Sequence, residues 1–357
     1  MTRCTAALLA VWVLLPVGAS VAHPMGHEHD DEDHAPAAAT HPDLHVSFAR
    51  VHGVEHQVSI TEKDGYRYIT SNAIPDHEPG QFPTRGNPNT ISPQNHEFRM
   101  TLSPEKAAGE FRGRVLFGVA LNGVPFDPGT AEIWSPTGRV RGPDAPRDGW
   151  RYEALTGNIN LGLDDHNAHV QPTGAYHYHA LPVGVYEKAA GKPASEVPDQ
   201  MVLIGYAADG FPIYGVYAHQ DPMDPTSPLV QPTTSYRVKD GRRPRKSDTS
   251  PGGDYDGVFV QDWEYVEGLG DLDQHHGQIG VTPEYPDGTY YYLITEEYPF
   301  IPRSLYGTPD RSFAPKRSGL GPGADGGEHS DRRRGDRTDR ENRRGEDGDR
   351  PRRPPPR

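Results

Sequence analysis

A motif built from leucine, aspartate, histidine and tyrosine occurs twice in this chain of 357 residues. The first copy reads LDDHNAH at 163–169 and GAYHYH at 174–179, and the second reads LDQHHGQ at 272–278 and GTYYY at 288–292. Each copy predicts a loop followed by a strand, and two copies predict a pseudo-symmetric fold. His169 and His177 of the first copy align with a glutamine and a tyrosine of the second. The imidazoles are therefore concentrated in the first copy.

Turn-forming residues are frequent in the rest of the sequence, which holds 40 glycines and 37 prolines. Short alternating stretches such as 66–70 lie between them and indicate strands. No long stretch after the N-terminus has the 3.6-residue apolar period of a helix. Two apolar runs around Asp209-Gly210 predict a hairpin over 201–217, and residues 187–196 could form a short helix. We expect a mostly β fold, a sandwich or a related arrangement of two sheets.

The N-terminus has the pattern of an export signal. Arg3 supplies a positive charge, residues 6–17 are apolar, and Ser20-Val21-Ala22 offers small residues for cleavage. The sequence thus predicts a cleaved signal peptide over 1–22 and an extracytoplasmic location, either periplasmic or secreted. Cys4 is the one cysteine and is removed with the signal peptide. A metal site in the mature chain would then use histidines and carboxylates.

Both ends of the mature chain are expected to be disordered, because they contain almost no apolar residues. The His- and acid-rich segment 23–41 is either a loose metal collector or a solvated linker. Cleavage after Ala22 would make His23 the first residue, and its amine and imidazole could together chelate copper. The charged tail 316–357 is either solvated or holds an envelope or protein partner. Between these ends, 42–315 is the predicted β domain.

The formal net charge of −14 argues against nucleic acid as the main partner, because phosphates repel an acidic fold. The same charge is compatible with cation binding. No transmembrane segment is expected after removal of the signal peptide, because the apolar run lies within the signal itself.

The YHYH strand of the first copy predicts a metal site. Side chains alternate across a strand, so His177 and His179 share one face and the flanking tyrosines share the other. The loop 170–175 is long enough to bring His169 back beside them. Three imidazoles with an open position suit copper or zinc. His166 and Asp165 are further candidate ligands or acceptors, and the alternative is that the imidazoles only hydrogen-bond carboxylates nearby.

A second acidic region could suit calcium, whose preferred ligands are oxygens, although its spacing matches no EF-hand loop. It comprises Asp254, Asp256, Asp262, Glu264, Glu267, Asp271 and Asp273.

Two other functions remain open. In an enzyme, an open three-histidine site would activate water or use copper for oxygen chemistry, with Asp165 or Asp209 as general base. In a non-metal module, tyrosines and the tail would bind the cell envelope. Phosphate-binding loops, G-x-S-x-G and H-E-x-x-H motifs are absent from the sequence.

Several stretches resemble the YHYH-domain family of exported bacterial proteins. They include GAYHYHALP at 174–182, LIGYAADGFPIYG at 203–215 and YVEGLGDLDQHHG at 265–277. The resemblance extends over about residues 90–310. It implies export, and metal binding is a common supposition for the family that rests on the same histidines. It implies no particular enzymatic activity.

Overall fold

The computed structural model describes residues 50–315, apart from 52, 110, 112, 142–144 and 147. The predicted signal peptide, the His- and acid-rich segment and the charged tail lie outside the described residues. The fold is mostly β, as the turn-rich sequence predicts. The strands are β1 (Arg50–Val51), β2 (Val54–Glu55), β3 (Val58–Lys63), β4 (Tyr66–Ser71), β5 (His96–Thr101), β6 (Gly118–Ala120), β7 (Pro125–Phe126), β8 (Ile133–Ser135), β9 (Gly138–Val140), β10 (Ala168–Val170), β11 (Tyr176–Tyr178), β12 (Leu203–Ala207), β13 (Pro212–Tyr214), β14 (Ala218–His219), β15 (Leu229–Val230), β16 (Tyr236–Val238), β17 (Trp263–Tyr265), β18 (Gly277–Gly280) and β19 (Thr289–Leu293).

An eight-stranded sheet in the order β10-β11-β7-β6-β12-β13-β19-β18 forms the centre of the fold. The middle strands β6 and β12 are antiparallel. On each side the next pairing is an antiparallel hairpin, then a parallel pairing, then an outer antiparallel pairing. The same sequence of pairings therefore runs outward from the centre in both directions. This confirms the predicted pseudo-symmetry, and the two motif copies form the two outer hairpins.

The inner hairpins are also related, which extends the repeat beyond the motif. GVALNGVPF at 118–126 forms β6 and β7, and GYAADGFPI at 205–213 forms most of β12 and β13. Each hairpin turns at a glycine with positive φ, Gly123 at 78° and Gly210 at 99°. Left-handed backbone of this kind favours glycine. The turn predicted at Asp209-Gly210 is thus confirmed, and it has a counterpart in the first half.

Tyr176 and Tyr290, at corresponding positions of the two motif copies, point into the core and make equivalent hydrogen bonds. The Tyr176 hydroxyl donates to Asp164 at 2.6 Å, and the Tyr290 hydroxyl donates to Asp273 at 3.0 Å. Both tyrosines are buried. These two rings therefore pack in the core, on the face of the sheet opposite His177.

A three-stranded sheet, β3-β4-β5, packs against the large sheet. Ile69 and Met100 from the small sheet and Val119 from the large one belong to one buried apolar cluster. The guanidinium of Arg67 lies 3.6 Å from the centre of the Tyr206 ring. This two-layer packing agrees with the predicted sandwich-like arrangement.

The helical segments of the described residues are α1 (Val183–Ala190) and 3-10 helices at Val260–Asp262 and Arg311–Phe313. Helix α1 begins four residues earlier than the helix predicted over 187–196. It ends at Gly191, which has a φ of 66° and donates its N–H to the carbonyl of Glu187. A left-handed glycine of this kind terminates helices. Across the described ranges, every helix is too short or too polar to cross a membrane.

Candidate metal centre

The outer hairpin β10–β11 positions three histidines on one face of the sheet. His169 lies directly opposite His177 in the antiparallel register, so both side chains project to the same side. His179 follows two residues later on that face. The connecting loop turns at Gly174, where φ is 84° and an added Cβ would lie 1.9 Å from Ser92 Oγ. The predicted return of His169 to the YHYH strand is therefore present.

The three imidazoles meet through their Nε2 atoms. His179 Nε2 lies 3.1 Å from His169 Nε2 and 3.0 Å from His177 Nε2. The ring centroids are 4.7–4.8 Å apart in all three pairs. His177 and His179 are buried, whereas His169 is partly exposed. The cluster therefore has one side that can be reached from solvent.

Backbone carbonyls fix the tautomers of two of these rings. His169 Nδ1 lies 2.8 Å from the Leu161 oxygen, and His177 Nδ1 lies 3.2 Å from the Ala175 oxygen. A carbonyl only accepts hydrogen bonds, so each Nδ1 carries the proton and each Nε2 presents a lone pair to the cluster. His179 Nδ1 is buried without a hydrogen-bond partner. The Nε2 lone pairs of His169 and His177 therefore both point toward the same atom, His179 Nε2.

Burial lowers the pKa of all three imidazoles. The pKa of His169 falls to about 4, mainly through burial and then through the charge of His177. Burial lowers the pKa of His177 to about 4 as well. The pKa of His179 falls well below its usual value, again chiefly through burial. The three rings are therefore neutral at physiological pH, and neutral imidazole is the form that binds metal ions.

The spacing of the cluster fits a metal ion. Two imidazoles on a tetrahedral zinc ion, with Zn–N bonds of about 2.0–2.1 Å, have nitrogens about 3.3 Å apart. The two short Nε2 separations are 3.0 and 3.1 Å, and one ligand atom from each ring lies within 4.8 Å of the others. In the part of the chain that the structure describes, this is the one such group of histidine, cysteine or carboxylate side chains. These residues could hold a metal ion, with a fourth position left open.

A half-buried aspartate on the same face was not found by sequence reasoning. The Asp127 N–H donates to the Tyr178 carbonyl beside β11, at 3.0 Å. Because Phe126 is paired with Tyr178, the next side chain, Asp127, projects to the histidine face. Gln171 Nε2 donates to Asp127 Oδ2 at 3.3 Å, and burial raises the pKa of Asp127. The parallel pairing of β7 with β11 creates this neighbourhood, and no local motif signals it.

His166 and Asp165 are not brought into the cluster. His166 Nδ1 accepts the Gly184 N–H at 3.0 Å, and its Nε2 lies 3.1 Å from the Glu78 carbonyl. Both ring nitrogens are thus bonded to backbone groups, which leaves no free lone pair for a metal ion. Asp165 is exposed and lies outside the group of converging ligand atoms. These two predicted ligands are thus not among the side chains that the structure brings together at the three histidines.

The other predicted acidic sites are also dispersed. Asp209, a candidate general base, is buried and accepts hydrogen bonds from Tyr292 and Gly307, at 2.5 and 2.8 Å. In the acidic region suggested for calcium, Asp256 and Asp262 pair with Arg243, and Asp271 accepts from Thr233. These carboxylates serve separate structural contacts and form no group of converging ligands among the described residues.

The second motif copy has the same backbone but different side chains on the corresponding face. Gln278 stands where the first copy has His169, Tyr291 where it has His177, and Leu293 where it has His179. Gln278 Nε2 donates to the Tyr291 hydroxyl at 2.7 Å, and Leu293 is fully buried. This face holds a neutral hydrogen bond and an apolar contact in place of three imidazoles.

Comparison with known proteins agrees with these features. No curated protein and no solved structure gives a significant match to the chain. A sequence model described as "YHYH protein" matches residues 97–307. The match spans more than half of the chain and contains both motif copies, both inner hairpins and all three converging histidines. The chain therefore belongs to the YHYH protein family.

Proposed function

We propose that this protein binds a transition metal ion, copper or zinc, in an extracytoplasmic compartment. His169, His177 and His179 are the proposed ligands, each through Nε2. The observation that carries the proposal is the convergence of these atoms at 3.0 and 3.1 Å with two tautomers fixed by backbone carbonyls. A cation between the three Nε2 atoms would accept the nitrogen lone pairs that otherwise face one another.

The ligand chemistry favours copper or zinc over harder cations. Imidazole nitrogens suit zinc, copper, iron and nickel, whereas magnesium and calcium prefer oxygen ligands. Three neutral rings leave an open fourth position, which is typical of zinc and copper sites that exchange a bound ligand or water. The apolar, small-residue pattern of residues 1–22 supports export, and the His-rich segment 23–41 would then act as an auxiliary collector.

The test is metal content, measured by elemental mass spectrometry on the full chain expressed without an affinity tag. After incubation with copper or zinc and removal of loosely bound ion, we expect about one tightly held equivalent. His177→Ala combined with His179→Ala should abolish it. His27→Ala combined with His29→Ala, in the N-terminal segment, is the matched control and should retain it. An equal metal content in all three proteins would refute the proposal.

Metal-dependent hydrolysis is a second candidate function. It is favoured by Asp127, a half-buried carboxylate on the histidine face whose pKa is raised by burial. A carboxylate beside the open position could accept a proton from water. When bound, the metal ion would supply the Lewis acid that acidifies this water. Zinc-loaded protein should then hydrolyse an activated ester, and Asp127→Asn should lose the activity while retaining the metal.

A further inference from the structure

A pocket of about 440 Å³ opens beside the second motif copy, away from the three histidines. It lies where the chain after β5, the β16–β17 ribbon and the LDQHHG loop meet. Lys106, Tyr236, Tyr265, His275 and Ser304 are among its lining residues. The volume is within the range of pockets that bind small molecules.

Three tyrosines give the pocket aromatic walls. Tyr236, Tyr265 and Tyr306 are each partly exposed, in contrast to the buried tyrosines of the repeat. Tyr290 lies parallel to Tyr306 at 3.8 Å and covers one face of its ring, so the lysine over that ring, Lys106, lies at the opposite face. The Tyr236 hydroxyl donates to the Gln274 carbonyl at 2.6 Å, which holds that ring in place. The walls are therefore partly pre-formed.

Hydrogen-bonding side chains and one lysine lie beside these rings. His275 Nδ1 lies 2.8 Å from Ser304 Oγ, and its Nε2 lies 3.1 Å from the Gln274 amide. Lys106 Nζ lies 5.2 Å from the centre of the Tyr306 ring. None of the described residues that line the pocket is an aspartate or a glutamate. Lys106 thus places a cation in this lining, and the nearest carboxylates, Glu267 and Asp273, act on the tyrosines from outside it.

His166 of the first motif copy corresponds to His275 of the second, but it makes different contacts. His166 packs against the ring of His77, with centroids 3.9 Å apart, and both of its nitrogens are bonded to backbone groups. His275 instead lines the pocket. The two copies have therefore diverged in opposite ways, with imidazoles gathered on the sheet face of the first and a pocket beside the loop of the second.

We propose that this pocket binds an acidic sugar, such as a uronic acid unit of a polysaccharide. The flat, apolar side of a pyranose ring fits against a tyrosine face, as other rigid rings do. The carboxylate of the sugar lies at Lys106, and its hydroxyls exchange hydrogen bonds with Ser304 and Gln274. The combination of aromatic walls, one cation and neutral polar groups favours this class over a simple inorganic anion, which would gain nothing from the rings.

The test is titration calorimetry on the full chain with tetragalacturonate, its methyl ester and inorganic phosphate. We expect the free acid to bind at least about tenfold more tightly than the ester or phosphate, because only it uses both the cation and the rings. Lys106→Gln should weaken the free acid by about tenfold and leave the ester unchanged, and Tyr265→Ala should weaken both sugars.

Lys63→Gln is the matched control, because Lys63 Nζ lies 5.1 Å from the Tyr68 ring on the separate β3–β4 hairpin. This variant should bind as the wild type does. Phosphate binding as tight as that of the free acid would overturn the proposal, and so would unchanged binding in Lys106→Gln. His177→Ala with His179→Ala should retain sugar binding, so this result does not depend on whether the protein binds metal.

Discussion

The two outer hairpins share a scaffold but differ in one face. Both bury a motif tyrosine against an aspartate, Tyr176 against Asp164 and Tyr290 against Asp273. On the opposite face, the first hairpin gathers three imidazoles and the second a Gln–Tyr hydrogen bond beside a buried leucine. The second hairpin shows that this strand arrangement forms without histidines. The imidazoles of the first hairpin are therefore not needed for the local fold.

The histidine face also has an energetic cost that the second hairpin avoids. His179 is buried and its Nδ1 has no hydrogen-bond partner, whereas the equivalent Leu293 has no polar atom to satisfy. A buried polar atom without a partner costs roughly 1–3 kcal/mol. A cluster that opposes folding in this way indicates a functional role, because functional sites commonly reduce stability.

Replacing His179 with the leucine of the second copy is the sharpest test of this difference. In His179→Leu we expect metal affinity to fall by more than about 100-fold. Loss of a residue that only orients a metal ligand already lowers affinity by about 10–100-fold, and loss of the ligand itself should lower it further. Without metal, the same variant should be more stable than the wild type by about 1–2 kcal/mol, because the unsatisfied nitrogen is removed. Elemental analysis and urea unfolding of the metal-free protein measure the two effects.

His166→Leu provides the matched control for that experiment. His166 is also a motif histidine, but both of its nitrogens are bonded to backbone groups. Its removal should retain the metal and lower stability by roughly 0.5–1.5 kcal/mol, because the half-buried Gly184 N–H and the exposed Glu78 carbonyl lose their partner. If His179→Leu lowered the stability of the metal-free protein as much as His166→Leu does, the cluster would be a structural network.

A buried ion pair links the two halves, and its loss should have the next largest effect. Arg303, which follows the second copy, pairs with Glu153 at 2.7 Å and donates to the Pro128 carbonyl beside β7 of the first half. Glu153 is fully buried, and burial raises its pKa. Glu153→Ala would leave the guanidinium without its counter-ion, so we expect a loss of about 3–5 kcal/mol in the free energy of unfolding.

An exposed pair calibrates this prediction. Arg237 and Glu264 are 3.0 Å apart on the β16–β17 ribbon, with about half of the Arg237 side chain and a third of the Glu264 side chain exposed. Glu264→Ala should cost no more than about 1 kcal/mol. Both variants are measured by urea unfolding at pH 7. Equal losses in the two would show that the buried pair does not hold the halves together.

Local pattern was sufficient to predict the three histidines, and it failed for contacts between distant segments. Strand alternation placed His177 and His179 on one face, and the short loop returned His169 to them. Asp127 reaches that face only through the parallel pairing of β7 with β11, and Arg303 reaches Glu153 across 150 residues of sequence. Pairings of this kind depend on the whole topology, which the pattern of a single strand does not encode.

The repeat was only partly visible in the sequence for a related reason. The motif loops are recognisable because their aspartates and tyrosines bond to one another in both copies. The inner hairpins, GVALNGVPF and GYAADGFPI, share only two glycines, an alanine and a proline. Buried apolar positions tolerate exchange when the volume is accommodated, so valine, tyrosine and phenylalanine replace one another there. The turn glycines remain because both turns need positive φ.

The smallest predicted effect concerns an asymmetry next to the motif turn, where the first copy has Asn167 and the second His276. Both residues adopt a left-handed backbone, with φ of 59° and 61°, which asparagine accepts readily. His276 is fully buried, and burial lowers its pKa to about 3, with a further contribution from the charge of Arg303. His276→Asn therefore exchanges a titratable side chain for the neutral one of the other copy without straining the backbone.

This substitution should change how stability depends on pH. The pKa of His276 in the folded protein lies below its value of about 6.5 in the unfolded chain, so the unfolded chain binds more protons between those values. The contribution of His276 is thus complete above pH 6.5 and is lost as the pH falls, by about 2 kcal/mol at pH 5.

At pH 7 the variant should be less stable by about 1 kcal/mol, because Thr295 Oγ1 loses its bond to His276 Nε2. Urea unfolding at both pH values should therefore show the order reversing, with the variant more stable than the wild type by about 1 kcal/mol at pH 5. Parallel losses of stability would mean that His276 is protonated in the folded protein, and that the asymmetry between the copies has no bearing on acid stability.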